Sequence, residues 1–231
     1  MAIAVIIGYA VAAYQRNGIY LTPVTLWGVT ADVAWHKQRP HENYGQSLSA
    51  VGFYEEALRE FKIVQSMPED GSVPLRDLYR EIGVVYFRLN MIDESIVAWK
   101  KGLVYAVYDP GLMNNLALAF LKKGQYAEAE AYATQGMVLG GTKPTLLNTL
   151  GEVAMRQRDY ERAVDYFTRV LEINPDDSAA AWNVALAHTE QGQYEKALTE
   201  VTQYLARETE PQSRQQAREL VDSLNRKLGR H

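Results

Sequence analysis

One short pattern recurs along the chain at a nearly constant interval, and it constrains the fold more than any other feature. Segments that begin at Gly124, Arg158 and Gly192 each place a tyrosine two positions later and an alanine five positions later. These three starts are 34 residues apart, and the pattern extends back to Asn90 (another 34 residues) and to Gly52 (a further 38). An interval of this length predicts a repeated helix-turn-helix unit.

A second series of small residues holds the same phase, seven positions before each start of the pattern. Its members are Gly45, Gly83, Ala117, Gly151 and Ala185. Together the two series predict a first helix, a break, and a second helix that begins at the tyrosine. Small residues let the two helices approach closely, and we expect bulky residues such as Phe61, Trp99 and Phe167 to fill the space toward the next unit. Carboxylates near the start of each second helix suit the positive end of the helix dipole.

The 34-residue period and its glycine, alanine and tyrosine positions closely resemble the tetratricopeptide repeat, TPR. Val170 to Leu198 is a particularly close match, and the resemblance covers about Pro40 to Arg207. The sequence departs from the family pattern at Ser95, which replaces an alanine, and at Arg158, which replaces a glycine. The resemblance implies an all-α fold, a right-handed superhelix of about five helix-turn-helix units over residues 40–207.

Further helices are predicted on both sides of the repeats. Within residues 208–231, apolar residues after Pro211 recur at helical spacing, which predicts the terminal capping helix that a solenoid needs. Within residues 16–39, Thr22 followed by Pro23 predicts a helix start. A stripe of apolar and small residues from Leu26 to Trp35 then predicts a helix that seals the first repeat.

Residues 1–15 form an apolar segment of a different character. Ala2 to Tyr14 carries no charge, but about 20 apolar residues are needed for a helix to span a bilayer. No basic residue precedes the run, as it would in a secretory signal. We interpret the segment as the end of a membrane-anchoring helix, and a buried helix of a soluble protein is the alternative.

The stretch from Arg16 through "RPHENYG" is similar to the junction found in membrane glycosyltransferase-like proteins. These are bacterial relatives of the transmembrane TPR O-mannosyltransferases, which carry an extracytoplasmic TPR tail. The resemblance implies that this chain corresponds to such a tail, with the repeats in the periplasm and the catalytic membrane portion elsewhere. Arg16, Lys37 and Arg39 follow the apolar run, and by the positive-inside tendency they favour the cytoplasmic face instead. We follow the resemblance and keep the cytoplasmic face as the alternative.

The composition offers little for catalysis. The chain has no cysteine, which excludes disulfides, thiolate nucleophiles and cysteine-ligated metals. Its four histidines, His36, His41, His188 and His231, lack metal-ligand spacing, and no phosphate-binding loop or nucleophile motif is present. The formal net charge of −4 does not point to nucleic acid. We therefore predict a protein that is not an enzyme and uses no metal or cofactor.

The predicted interaction surface is the concave groove that the first helices of a TPR superhelix line. Asparagines and basic residues fall on these helices: Asn43, Asn115 and Asn183 in equivalent places, Asn114 and Asn148 one position earlier in their units, and Arg80, Arg88, Lys122 and Arg156. Asparagine amides can donate to and accept from a peptide backbone, and the basic residues could attract a carboxylate. The alternative is that the asparagines solvate the groove and form hydrogen bonds between repeats.

These features predict a membrane-tethered, non-catalytic scaffold that binds a peptide or protein segment in its groove and helps assemble an envelope complex. One alternative is the extracytoplasmic tail of a membrane glycosyltransferase-like protein, split or truncated. A second is a subunit of a filament or secretion assembly. The sequence identifies neither the partner nor the oligomeric state.

Overall fold

A computed structural model describes residues 22–230, and within that range the chain forms twelve helices and no strand. The predicted all-α class is confirmed. The apolar segment at residues 1–15, residues 16–21 and His231 lie outside the described residues. The chain divides into two compact units, one ending at Val107 and one beginning at Tyr108, and each is described by itself.

The first unit contains five helices, and each packs against the next in chain order. They are α1 (Pro23–Val33), α2 (Gln38–Ala50), α3 (Tyr54–Ser66), α4 (Leu75–Arg88) and α5 (Ile92–Tyr105). Helices α2 and α3 form one helix pair and α4 and α5 the next. Phe61, Leu78 and Val85 are fully buried at the centre of this unit.

The second unit contains seven helices, which again pack in chain order. They are α6 (Pro110–Lys122), α7 (Tyr126–Gly140), α8 (Pro144–Gln157), α9 (Tyr160–Ile173), α10 (Ser178–Glu190), α11 (Tyr194–Arg207) and α12 (Pro211–Lys227). Three helix pairs, α6–α7, α8–α9 and α10–α11, precede the terminal helix α12. The first helices of the first two pairs, α6 and α8, also contact each other.

The breaks between paired helices lie where the repeat pattern places them. Four of the five second helices, α3, α7, α9 and α11, begin at the predicted tyrosine, and α5 begins at Ile92. The residue that starts each copy of the pattern has a positive φ: 89° at Gly52, 62° at Asn90, 75° at Gly124, 62° at Arg158 and 74° at Gly192. Glycine adopts this conformation freely, whereas a residue with a Cβ is disfavoured there by roughly 1–2 kcal/mol. The chain therefore turns at the same backbone conformation in all five pairs, at a cost where the residue is not glycine.

Close approach within three of the pairs depends on glycine. A Cβ built on Gly45 would lie 2.7 Å from the Phe61 ring, one on Gly83 would lie 2.3 Å from Trp99 Nε1, and one on Gly151 would lie 2.6 Å from the Phe167 ring. The aromatic side chain therefore packs on the small residue of its own pair. Phe61 and Phe167 also share buried clusters with residues of the next pair, such as Leu78 and Val184, as the sequence predicts.

In the other two pairs the small residue is alanine instead of glycine. The residue opposite it on the second helix is smaller than the aromatic residue of the three pairs that carry glycine. Ala117 shares a buried cluster with Ala133, and Ala185 shares one with Val201. The two positions lie 16 residues apart in every pair, so a larger residue on one helix is matched by a smaller residue on the other. Glycine therefore accompanies an aromatic ring at this contact, and alanine accompanies a smaller side chain, so neither combination overpacks the pair.

The helices at the two ends of the described range start as predicted. Thr22 caps α1 through reciprocal hydrogen bonds with Thr25, and α12 buries Ala217 and Leu224. The predicted stripe on α1 is wrong at its end, because the helix stops at Val33 and the Trp35 side chain is 70% exposed in the following turn. Among the helices of residues 22–230, none combines the length and apolar character needed to cross a membrane.

Candidate functional site

The first helices of the last two pairs, α8 and α10, border an open pocket of about 390 Å³. Glu152, Met155 and Arg156 of α8 line it together with Phe167 of α9 and Asn183 of α10. The fold thus brings Arg156 and Asn183 of the predicted set to one pocket. Glu152 and Met155 were not predicted from the sequence, although both lie at helical spacing from Asn148 on the same helix.

The pocket combines apolar and polar surfaces. The Phe167 side chain is fully buried behind the pocket, whereas Met155 is only partly buried and presents accessible thioether surface. Within the described part of the chain, neither the Arg156 guanidinium nor the Asn183 amide takes part in a hydrogen bond or ion pair. Although the Glu152 side chain as a whole is exposed, local burial raises the pKa of its carboxyl, and the nearby Arg156 charge opposes that shift. The pocket can therefore accept an apolar side chain beside a hydrogen-bonding or anionic group.

The asparagines on α6 serve different purposes. The Asn114 side-chain oxygen lies 2.8 Å from the Thr149 hydroxyl, which joins α6 to α8. This contact is the bond between repeats that the alternative interpretation of the asparagines expects. Asn115 is partly buried, and Lys122 is exposed in the last turn of α6.

Asn148 carries an unsatisfied acceptor. Its side-chain oxygen is shielded from solvent and has no hydrogen-bond partner among the described residues. A buried polar atom left without a partner costs about 1–3 kcal/mol. Asn148 lies one helical turn before Glu152 on α8, but it does not line the α8–α10 pocket.

In the first unit, the predicted basic residue Arg80 is already engaged. Its guanidinium forms ion pairs with Asp77 at 3.0 Å and with Glu81 at 3.5 Å. Nearby on α2, Arg39 pairs with Glu42, whose residue is only 2% exposed. Burial raises the pKa of Glu42, Arg39 lowers it, and the charges of Asp77 and Glu81 add to the increase. The charges on the first helices of this unit are therefore largely compensated within the unit.

The remaining predicted residues of the first unit are separate from this network. Asn43 is partly buried on α2, and Arg88 is exposed in the last turn of α4. A pocket of about 350 Å³ between α4 and α5 contains neither of them. Tyr79, Ile82 and Val97 are among its lining residues; Ile82 is buried in the core, whereas Val97 is exposed.

Comparison with known proteins identifies the type of repeat. A tetratricopeptide repeat family model matches residues 148–213, and a second matches residues 111–138. The protein contains tetratricopeptide repeats. No curated protein sequence matches this TPR protein at a significant level. The α8–α10 pocket lies within residues 148–213 and so within matched TPR sequence.

Several solved structures have a similar fold. The Cut9–Hcn1 hetero-tetramer of the APC/C matches with a TM-score of 0.70 and 15% identity over 86% of this chain, which spans 38% of that chain. YrrB, described as a TPR protein with an unusual peptide-binding site, matches with a TM-score of 0.61 and 20% identity, covering 84% of this chain and 97% of its own. MamA from Desulfovibrio magneticus RS-1 matches with a TM-score of 0.65 and 15% identity, covering 74% of this chain and 94% of its own. Identities at this level show the fold alone, and these comparisons do not support the glycosyltransferase-like resemblance of the N-terminal segment.

Proposed function

We propose that this TPR protein is a non-catalytic scaffold that binds a peptide or protein segment along the first helices of its second unit. Non-catalytic interaction is the general role of TPR proteins, and YrrB, which has the same fold, is described as having a peptide-binding site. The observation that carries the proposal is the α8–α10 pocket, where Arg156 and Asn183 meet beside apolar surface.

The chemistry of the pocket suits an extended segment. The Asn183 amide can both donate to and accept from a peptide backbone. The Arg156 guanidinium can form a charge-assisted hydrogen bond with a carboxylate, and the partly exposed Met155 offers apolar contact. We expect the ligand to place an apolar side chain next to an acidic side chain or a free C-terminus.

Selection of a displayed random peptide library on the full chain tests the proposal. Affinities of the selected peptides are then measured by fluorescence anisotropy for the wild type, Arg156→Ala and Asn183→Ala. Loss of one hydrogen bond to a charged group, about 1.5–3 kcal/mol, corresponds to a roughly tenfold or greater weakening. The control is Thr168→Ala, which changes an exposed residue of α9 outside the pocket. Selected peptides whose affinity is unchanged in both pocket variants would contradict binding at this site.

We also propose that residues 1–15 tether the protein to a membrane, with the repeats on the extracytoplasmic side, where they take part in assembling an envelope complex. The apolar run from Ala2 to Tyr14 supports the tether, and the sequence resemblance at the junction supports the sidedness. Membrane fractionation of the full chain and of a chain lacking residues 1–21 tests the tether, because only the full chain should sediment with membranes. Protease added to intact spheroplasts should then digest the repeats, and complete protection would place them in the cytoplasm.

A further inference from the structure

The imidazole ring of His41 connects three parts of the first unit. His41 lies on α2, and its Nδ1 atom is 2.6 Å from a carboxylate oxygen of Glu60 on α3. Its Nε2 atom is 3.1 Å from the backbone carbonyl oxygen of Trp35, in the turn that joins α1 to α2. The residue is 7% exposed, so water is largely excluded from the ring.

The contacts of His41 with Glu60 and with the Trp35 carbonyl each need a hydrogen atom between their two atoms. A neutral imidazole carries only one N–H hydrogen, and an ionised carboxylate carries none. A backbone carbonyl only accepts hydrogen bonds, so Nε2 must carry the hydrogen of that contact. An ionised carboxylate also only accepts, so a second proton must lie between Nδ1 and Glu60. Without it, a nitrogen lone pair would face an oxygen lone pair at 2.6 Å. The arrangement therefore holds one proton more than neutral His41 and ionised Glu60 supply.

No other described acid contacts the ring. Elsewhere on α3, Glu56 pairs with Arg59, and on α2, Glu42 pairs with Arg39. The remaining charged groups of the elements packed against α2 are the exposed Asp32 on α1, the exposed His36 and Lys37 in the turn, Glu55 and Lys62 on α3, and Arg76, Asp77, Arg80, Glu81 and Arg88 on α4. Of these, Asp77 and Glu81 act on Glu42. Glu60 is thus the group whose charge is directly coupled to a proton on His41.

We propose that His41, Glu60 and the Trp35 carbonyl form a proton-dependent latch that fastens the capping helix α1 to the first repeat. With the extra proton present, Nε2–H donates to the Trp35 carbonyl and the proton between Nδ1 and Glu60 completes the second hydrogen bond, which ties the α1–α2 turn to α3. Once that proton is lost, the ring has one N–H for two acceptors. A hydrogen bond to a charged acceptor is the stronger of the two, so the ring keeps Glu60 through Nδ1–H. Its Nε2 then has no hydrogen to donate, and the Trp35 carbonyl is released.

Hydrogen–deuterium exchange of the full chain tests the latch at the α1–α2 turn. The Lys37 amide, which donates to the Ala34 carbonyl at 2.9 Å, reports opening of this turn. Exchange is measured at about pH 5.5 and about pH 8, across the range in which imidazoles titrate, and corrected for the intrinsic rate. Loss of one hydrogen bond of about 1 kcal/mol predicts about fivefold more opening at the higher pH. The increase should disappear in His41→Gln and persist in His36→Gln, which removes the neighbouring exposed histidine.

Two results would overturn the latch: equal corrected exchange at both pH values in the wild type, or an unchanged pH effect in His41→Gln. Should His41→Gln fail to fold, nitrogen NMR of the wild-type imidazole decides the question. Two protonated ring nitrogens on His41, or a single one with a protonated Glu60 carboxyl, should be seen at the lower pH. A neutral ring beside an ionised Glu60 at that pH would refute the proposal.

Discussion

Replacing Gly151 with alanine tests the volume matching that sets the spacing of the paired helices. The added Cβ would lie 2.6 Å from two atoms of the Phe167 ring, where ordinary van der Waals contact begins near 3.4 Å. The ring cannot move outward, because Phe167 is fully buried and packs against the core formed by Leu147 and Val170. The helices α8 and α9 must therefore separate, or the ring must leave its preferred rotamer.

The expected cost follows from two opposing terms. Overpacking of a well-packed core costs typically 1–3 kcal/mol, whereas alanine in place of glycine within a helix gains about 1 kcal/mol. We expect Gly151→Ala to lower the free energy of unfolding by about 1 kcal/mol, because the clash is with a buried ring rather than a flexible side chain. Phe167→Val alone removes buried hydrocarbon and should cost on the order of 2 kcal/mol.

The decisive measurement is the double-mutant cycle, in which the free energy of unfolding of each variant is determined by urea titration and circular dichroism. In the pair α10–α11 the corresponding residues are Ala185 and Val201, so Gly151→Ala combined with Phe167→Val recreates a combination that the protein already uses. The glycine-to-alanine change should therefore destabilise the wild type but stabilise the Phe167→Val variant, giving a coupling of about 1 kcal/mol or more. If Gly151→Ala stabilises both backgrounds equally, helix propensity alone governs the site and the volume argument is refuted.

Three further changes test other features of the fold. Arg158→Gly should raise the free energy of unfolding by about 1 kcal/mol, measured by the same urea titration, because Arg158 occupies the left-handed conformation with a φ of 62°. Trp99→Phe should lower it by about 1–2 kcal/mol, since the variant loses both the hydrogen bond that the indole N–H donates to the Arg80 carbonyl at 3.0 Å and part of a buried ring. Burial raises the pKa of Glu42 in the folded state, so the stability that this group contributes at low pH is lost as pH rises through the raised pKa. Relative to the wild type, Glu42→Gln should therefore become more stable as pH rises from about 4 to 7 in thermal melts, and a constant difference would contradict the burial effect.

The sequence predicts the helix boundaries well where several copies of the pattern agree. The tyrosines at 126, 160 and 194 begin helices because each follows a turn residue with positive φ. The end of α1 has no such support. Ala34 and Trp35 continue the helical spacing, and neither is a glycine or proline, yet the chain turns at Ala34 with φ −109° and ψ 41°. Because α1 is not part of the repeated pattern, no other copy indicates where it should end.

The contacts at the candidate sites were predictable only in part, because they are of two kinds. Some contacts follow from helical spacing, such as the pairing of Arg80 with Asp77 three residues earlier, and could have been anticipated. Others join residues on different helices, such as Asn114 with Thr149 and His41 with Glu60. These contacts depend on the rotation of each helix about its axis, which a periodic pattern fixes only to within a face.

The two units differ in whether the basic residues of their first helices already have acidic partners. A ligand carboxylate approaching Arg80 must compete with Asp77 and Glu81, which already lie within 3.0 Å and 3.5 Å of the guanidinium. No described residue forms an ion pair or hydrogen bond with Arg156, and the carboxyl of the neighbouring Glu152 has a raised pKa. Breaking an existing ion pair costs much of the free energy that a new ion pair with the ligand provides. An acidic ligand should therefore bind more favourably at Arg156 than at Arg80. Although the first helices of both units carry basic residues, we therefore propose that an acidic peptide binds the second unit.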